Sequence, residues 1–282
     1  MKTVAIIAPG AMGAAVAGVL TSHKLEVLTL LDNRSPRSVE RARQAGMIAV
    51  NLDELMRAEA ILSIVPPANA MALAESLAPT LKNSRVKPLY VDCNAISEQR
   101  VKQVNEAIVA TGAAFVDGAI IGLPPAAADD SGPCFWFAGS RAAELRALER
   151  AGLRVKVMQE AQVGAASALK MSYAGINKGI TLLSALMLIN ASRVGAADAL
   201  WQEMNASQPV LMDRLRKAIP DMYSKAWRWA PEMEEIASLN QGELPGENLY
   251  MALADFCRQL ADNQRDNGDY TQLLTDFLQR KE

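Results

Sequence analysis

The chain has 282 residues, half of them hydrophobic and 21% charged, a length that suits two domains better than one. That composition excludes a disordered or fibrous protein, and 29 Lys+Arg against 31 Asp+Glu, a net charge of −2, leave no general basic surface to hold nucleic acid. A single His and three widely spaced cysteines (Cys93, Cys134, Cys257) build neither a metal site nor a disulfide framework, which points to a reducing, cytoplasmic setting with no metal.

The first twenty residues, MKTVAIIAPGAMGAAVAGVL, imitate a secretory signal, but Pro9-Gly10 stop the apolar run too early for one. Val4–Ala8 reads instead as a strand buried on both faces, followed by a turn and a small-residue helix over Met12–Leu20. Leu25–Leu31 predicts a second strand, ending at Asp32-Asn33-Arg34-Ser35. A basic helix (36–44), a short strand near 47–50 and a short helix (53–57) come next. Ala60–Val65 is the next buried strand, stopped by Pro66-Pro67, and a helix over 69–78 follows it. Then come a strand at 89–93, a helix at 97–110, strands at 114–116 and 135–138, a helix at 142–151 and a strand at 153–158. Strands alternating with helices predict a parallel, doubly wound α/β sheet of the Rossmann type.

Beyond Gln162 the alternation stops. Residues 164–193 read as one helix of about 30 residues, ~45 Å long, and more helices follow with breaks near Pro209, Pro220 and Gly242–Gly246. The expected domains are therefore residues 1–161, α/β, and residues 162–282, all helical, joined by the long helix. Its richest apolar stretch carries Asn190 and Arg193, so no membrane span is read. The helix is apolar on more than one face (Leu169, Ile176, Ile180, Leu182, Leu183, Leu186), which predicts burial all round and a homodimer formed through the helical half.

Chemistry enters at Ala8-Pro9-Gly10-Ala11-Met12-Gly13, which follows the first strand and opens the first helix, the context that a dinucleotide fingerprint requires. Gly10 lets backbone approach a pyrophosphate, Gly13 lets the helix pack on the strand, and Pro9, Ala11 and Met12 complete the turn at a helix N-terminus that attracts anions. Ala8 stands where the fingerprint has its first glycine. At the end of the second strand, Asp32 would suit the ribose hydroxyl of NAD, whereas Asn33, Arg34 and Ser35 form the donor set for the 2′-phosphate of NADP. NADP is the expected cofactor, with NAD possible.

These motifs resemble the β-hydroxyacid dehydrogenase family, relatives of 6-phosphogluconate and 3-hydroxyisobutyrate dehydrogenases, through most of the first 180 residues. Asn33-Arg34-Ser35 stands where NADP-using members carry Asn-Arg-Thr, and Ile64-Val65-Pro66-Pro67 resembles the loop that covers the cofactor. Asp92-Cys93-Asn94 sits at the family's Asp-x-Ser-Thr, which implies cofactor contacts from Val65, Pro66, Pro67 and Asn94. Phe115–Gly122 falls on Asp-Ala-Pro-Val-Ser-Gly-Gly, and Gly164–Lys170 on the stretch that carries the catalytic lysine. The shorter helical half resembles a subgroup with a poorly characterised C-terminal domain, marked by Arg228-Trp229-Ala230-Pro231-Glu232.

The resemblance implies hydride transfer between nicotinamide C4 and a hydroxyl or carbonyl carbon of a small substrate, with Lys170 as general acid/base. The residue-level alternative for Lys170 is a snorkelling cation. The family's Asn one turn after the lysine is absent. Tyr173 can reach the substrate oxygen in its place, while Asn177, about 10.5 Å along the axis, is placed for a distal group; packing is the alternative for both. Ile121-Gly122-Leu123 replaces Ser-Gly-Gly, which implies a more apolar substrate or one whose acid group is held elsewhere, as by the helical half of a partner subunit, with Trp227, Trp229, Met233 and Tyr223 as candidate pocket lining or core. His23 and Glu232, Glu234 and Glu235 read as solvated surface. Two other readings stand beside the dehydrogenase: an imine reductase-like enzyme and a non-catalytic NADP-binding protein.

Overall fold

The computed structural model describes residues 1–126 and 132–280, and the chain divides into two compact units, Met1–Lys170 and a second beginning at Met171. The first unit is an eight-stranded sheet: β1 (Thr3–Ile7), β2 (Glu26–Thr29), β3 (Ile48–Ala49), β4 (Ala60–Ser63), β5 (Leu89–Asp92), β6 (Phe115–Ile121), β7 (Cys134–Ala138) and β8 (Arg154–Val157). The strands lie in the order β3-β2-β1-β4-β5-β6-β7-β8, so the winding reverses between β1 and β4. Apolar runs such as Val4-Ala5-Ile6-Ile7 are buried on both faces, as a sheet covered on two sides requires. One face packs against α1 (Ala11–Ser22), α2 (Pro36–Gln44) and a 3-10 helix over Ala142–Ala151. The other packs against α3 (Leu52–Leu55), α4 (Ala70–Asn83) and α5 (Glu98–Val109).

The sheet departs from the sequence reading at two points. β6 runs from Phe115 to Ile121 rather than stopping at 116, because Gly118 lies flat against the Asp92 carbonyl oxygen and Cys93 Sγ, where a Cβ would stand 2.9 Å from each. β7 pairs with β6 antiparallel and β8 runs parallel to β7, so the sheet is parallel only as far as β6. An antiparallel neighbour needs no helical crossover, whereas a parallel one does.

The second unit is helical: the rest of α6 (Ala165–Arg193), then α7 (Ala197–Ser207), α8 (Pro209–Tyr223), α9 (Ala226–Leu239), α10 (Leu244–Arg265) and α11 (Tyr270–Leu278). The division between units falls inside α6, not ahead of it at 161/162, because the first turn of α6 is bonded to the sheet. Pro220 does not break its helix; it sits inside α8, and only Pro209, at the first position of α8, and Gly242 fall at boundaries. Burial all round α6 is not found within one chain: Tyr173, Ile176, Leu183 and Met187 are exposed. By length and composition, α6 is long and apolar enough to cross a membrane.

Candidate functional site: the carboxyl ends of the central strands

At the point where the winding reverses, the chain passes from β1 through Ala8-Pro9-Gly10 into α1. Crevices for ligands open at such reversals. Gly10 is the N-cap and has no side chain to spend on the first-turn N–H groups, and no acidic residue stands in that turn. The helix end therefore keeps its unpaired donors and its partial positive charge. The two glycines do different work. A Cβ on Gly13 would lie 2.1 Å from the Ala8 carbonyl oxygen, so only glycine lets α1 pack on its strand. A Cβ on Gly10 would meet nothing within 4 Å; the space over this turn is open. Pro9 is buried, Ala11 exposed and Met12 half-buried. An open, glycine-lined cradle on an uncapped helix end fits a diphosphate.

On the neighbouring strand, β2 is followed by Asn33 in a left-handed conformation (φ 58°), half-buried Arg34 and exposed Ser35. Ser35 is the N-cap of α2, its Oγ accepting from the Ser38 N–H, so its hydroxyl already has a structural task. Asp32 is exposed and does not cap that helix.

Beyond β4 the Val65-Pro66-Pro67 loop is tied down by Asn94. The Val65 N–H donates to Asn94 Oδ1 (2.7 Å), while Asn94 Nδ2 donates to Ser63 Oγ (2.8 Å) and Asp92 Oδ2 (2.9 Å). The Asn94 side chain is thus engaged at both ends in joining β5 to the loop, and Pro66 stands exposed above it.

Two buried carboxylates organise what lies beside this loop. In the register of the sheet, Ser63, Asp92 and Asp117 fall in one row across β4, β5 and β6. Asp117 Oδ2 accepts from the N–H groups of Gly164 (2.9 Å), Ala166 (2.9 Å) and Ser167 (3.1 Å), and Oδ1 accepts from Ser167 Oγ (2.7 Å). A carboxylate on the sheet therefore caps the first turn of α6. Burial pushes the Asp117 carboxyl upward, and the bonds from Ser167, Gly164 and Ala166 pull it back. Burial raises Asp92 to about 7, against the opposing pull of its Asn94 bonds, with the Asp117 charge raising it further and Lys170 lowering it. Lys170, half-buried on α6, has its amine pushed below the usual lysine range by burial, opposed by Cys93 and Asp92. Cys93 is itself held well above its ordinary value by burial and stays a neutral thiol, which leaves Asp92 as the real counter-charge.

Sequence reasoning placed neither Asp92 nor Asp117 among the site residues. The available signal was that Leu89-Tyr90-Val91-Asp92 and Phe115-Val116-Asp117 both run apolar residues into an acid. The remaining candidates fall in both units. Ile121 ends β6 half-buried, Gly122 adopts φ +131° against Pro133, and Leu123 is 79% exposed. In the helical unit, Tyr173 is exposed. Asn177 Nδ2 donates to the Tyr173 carbonyl, and Asn177 Oδ1 accepts from Arg214 (2.9 Å). Trp229 is buried with Lys178 5.1 Å above its ring, and Met233 is core, whereas Trp227 points outward. Glu232 and Glu234 are not simply solvated: they pair with Lys178 and Arg258. Among the described residues no group of His, Cys, Asp and Glu forms a metal site.

Comparison with known proteins agrees with this geometry. Residues 3–170 match the NAD-binding domain of 6-phosphogluconate dehydrogenase, and residues 191–260 match a domain of unknown function (DUF1932). No curated protein matches the chain. Among solved structures, a conserved protein of unknown function, described as similar to 3-hydroxyacid dehydrogenases, shares 25% identity with a TM-score of 0.76, over 93% of this chain and 98% of that one. The Mycobacterium tuberculosis 3-hydroxyisobutyrate dehydrogenase, solved with L-serine, superposes with a TM-score of 0.76 at 15% identity, over 98% and 99% of the two chains. A variant imine reductase from Myxococcus stipitatus, in complex with NAD+, gives 0.59 at 17% identity, over 99% and 100%.

Proposed function

The chain belongs to the family defined by the NAD-binding domain of 6-phosphogluconate dehydrogenase, and from that membership we propose that it is an NADP-dependent oxidoreductase acting on a hydroxyl or carbonyl group of a small substrate. The observation that carries the reading is the Ala8–Gly13 turn: α1 is drawn tight onto β1 by Gly13, while its N-terminal donors face open space over Gly10. Arg34 with Asn33 and Ser35 supports the phosphorylated dinucleotide, since a guanidinium forks onto a phosphate as no carboxylate does. Bound there, the nicotinamide cofactor supplies or accepts the hydride. The chain's own part is the proton. Lys170 has its amine pushed below the usual lysine range by burial, which suits it to give a proton to a developing alkoxide or take one from a hydroxyl.

The supporting experiment pairs calorimetry with kinetics. NADPH is expected to bind more tightly than NADH, and Arg34→Ala to cost about tenfold or more in NADPH affinity with little effect on NADH. Lys170→Ala is expected to lower turnover by about two orders of magnitude or more while NADPH still binds. No affinity for either nucleotide overturns the reading. A screen of hydroxyacids, simple alcohols and cyclic imines then separates the dehydrogenase from an imine reductase, the second reading, which the similar fold of the imine reductase supports. NADPH binding without turnover of any of them points instead to a non-catalytic binding protein.

A homodimer fits the exposed face of α6. Tyr173, Ile176, Ile180, Leu183 and Met187 recur at alternating intervals of three and four, the 3.5-residue period of a helix seam that packs against a second helix. The three cysteines are free and buried, which supports a reducing compartment such as the cytoplasm.

A further inference from the structure

The polar row at the carboxyl ends of β4, β5 and β6 contains one acid that the proton chemistry above leaves without a task. We infer that Asp92 is a positioning residue for Lys170: a fixed counter-charge that holds the amine at the ends of β5 and β6 and governs its charge state. The inference rests on the role of Lys170 given above, but its geometry stands apart from any cofactor.

Three observations converge on it. The first is how α6 is aimed. Asp117 grips the N–H groups of Ala166 and Ser167 and the Ser167 hydroxyl. Lys170 lies three and four residues further along, on the same helix face. That face is the one turned to the end of β6, and Asp92 is the register neighbour of Asp117 on β5. The second is how Asp92 is fixed. Its Oδ1 accepts from the Asn94 N–H and its Oδ2 from Asn94 Nδ2, both at 2.9 Å, and the same amide is held by Ser63 Oγ and the Val65 N–H. The carboxylate cannot swing away without breaking that chain of bonds.

The third is elimination among the charges that face it. From its own strand comes Tyr90, whose phenol burial pushes upward, and just beyond the strand end Cys93, a neutral thiol; from β4 comes Ser63, an uncharged hydroxyl. From β6 comes Asp117, whose carboxylate is occupied by four donors. Lys170, from α6, is the one cation coupled to Asp92 among the described residues. Each of the two groups shifts the other in the direction that a nearby opposite charge does.

The test uses the full-length protein without nucleotide. Competitive acetylation with acetic anhydride, read lysine by lysine by mass spectrometry across pH, gives the midpoint of Lys170, with Lys82 as an exposed internal reference. Asp92→Asn is expected to lower the Lys170 midpoint by about half a pH unit or more, about threefold more free amine at a fixed pH below it, and to leave Lys82 unmoved. Ser63→Ala, which removes a bond from the same row but no charge, is expected to leave the Lys170 midpoint in place. An unchanged midpoint in Asp92→Asn, or an equal shift in Ser63→Ala, overturns the inference. Should Asp92→Asn fail to fold, Lys170→Met read by carbon NMR of labelled aspartate serves: the Asp92 titration moves up when the cation is lost, and an unmoved titration overturns the inference. NADPH binding is followed separately. A midpoint shift in a protein that binds no nucleotide sinks the oxidoreductase reading and leaves this one standing, and the converse result does the opposite.

Discussion

Removing Asp117 should cost several kcal/mol of stability, and the cost can be worked from its bonds. Its carboxylate answers the backbone N–H groups of Gly164, Ala166 and Ser167 and the Ser167 hydroxyl, all buried. In Asp117→Ala three N–H donors lose their acceptor in a place water reaches poorly. Each buried orphan costs about 1–3 kcal/mol, partly recovered as the helix end frays into solvent. A total near 4 kcal/mol is expected, within the ~3–5 kcal/mol typical of breaking a buried charged network. Asp117→Asn keeps the shape. Its carbonyl oxygen can serve the three N–H groups while its amide faces the rotatable Ser167 hydroxyl, so the loss is the charge at a helix N-terminus, about 1 kcal/mol. Urea unfolding followed by circular dichroism measures both variants. Hydrogen exchange over residues 160–172 localises the effect, which should appear as lost protection in the first turn of α6. Less than about 1 kcal/mol for Asp117→Ala, or equal losses in the two variants, would refute the reasoning that this carboxylate anchors the helix.

The two glycines of the first turn should separate packing from binding. Gly13→Ala forces a Cβ to within 2.1 Å of the Ala8 carbonyl and is expected to lose about 2–3 kcal/mol, whereas Gly10→Ala, in open space, melts close to the parent yet binds NADPH at least about tenfold more weakly; the reverse order in thermal melts and calorimetry contradicts the assignment. Asp92 should tilt the pH dependence of stability. Its folded value of about 7 lies above the unfolded value near 4, so its favourable contribution is complete below about pH 4 and is lost as pH rises through 7. That difference is worth up to about 4 kcal/mol, and urea midpoints between pH 4 and 8 should fall less steeply in Asp92→Asn than in the parent; parallel slopes reject it. Leu183→Glu, on the exposed seam of α6, should convert a dimer to monomers in sedimentation without loss of helix, and a parent already monomeric at micromolar concentration removes the dimer from consideration.

Most of the fold was legible because its signals are local. Short apolar runs punctuated by turn residues gave the strands, and the loss of that rhythm after Gln162 gave the helical half. What misled was punctuation that tertiary structure overrode. Pro79, ahead of which a helix was expected to end at 78, and Pro220 both sit inside helices, and both are exposed. A proline ring on the wet side of a helix leaves the freed carbonyl to water, so the helix can continue past it. The strand expected at 114–116 stops just short of Asp117-Gly118. The acid was spent on α6 and the glycine on contact with β5, neither of which a local window contains.

The site was legible where one stretch of chain carries the whole device and illegible where it is assembled across the sheet. The Ala8–Gly13 turn is such a stretch: strand end, glycines and helix start are contiguous, and Gly13 holds α1 against Ala8 as its position suggests. The acids are the contrary case. An aspartate after an apolar strand has a ready local meaning as a turn former. Only the register, which sets Ser63 beside Asp92 and Asp92 beside Asp117, shows that these two acids lie buried in one row. Once they do, their costs have to be answered from outside the sheet. Asp117 is answered by the start of α6, and that grip sets which face of the helix turns to the end of β6. The position of Lys170 thus follows from a capping carboxylate about fifty residues earlier in the chain, a dependence that no spacing around the lysine itself can display.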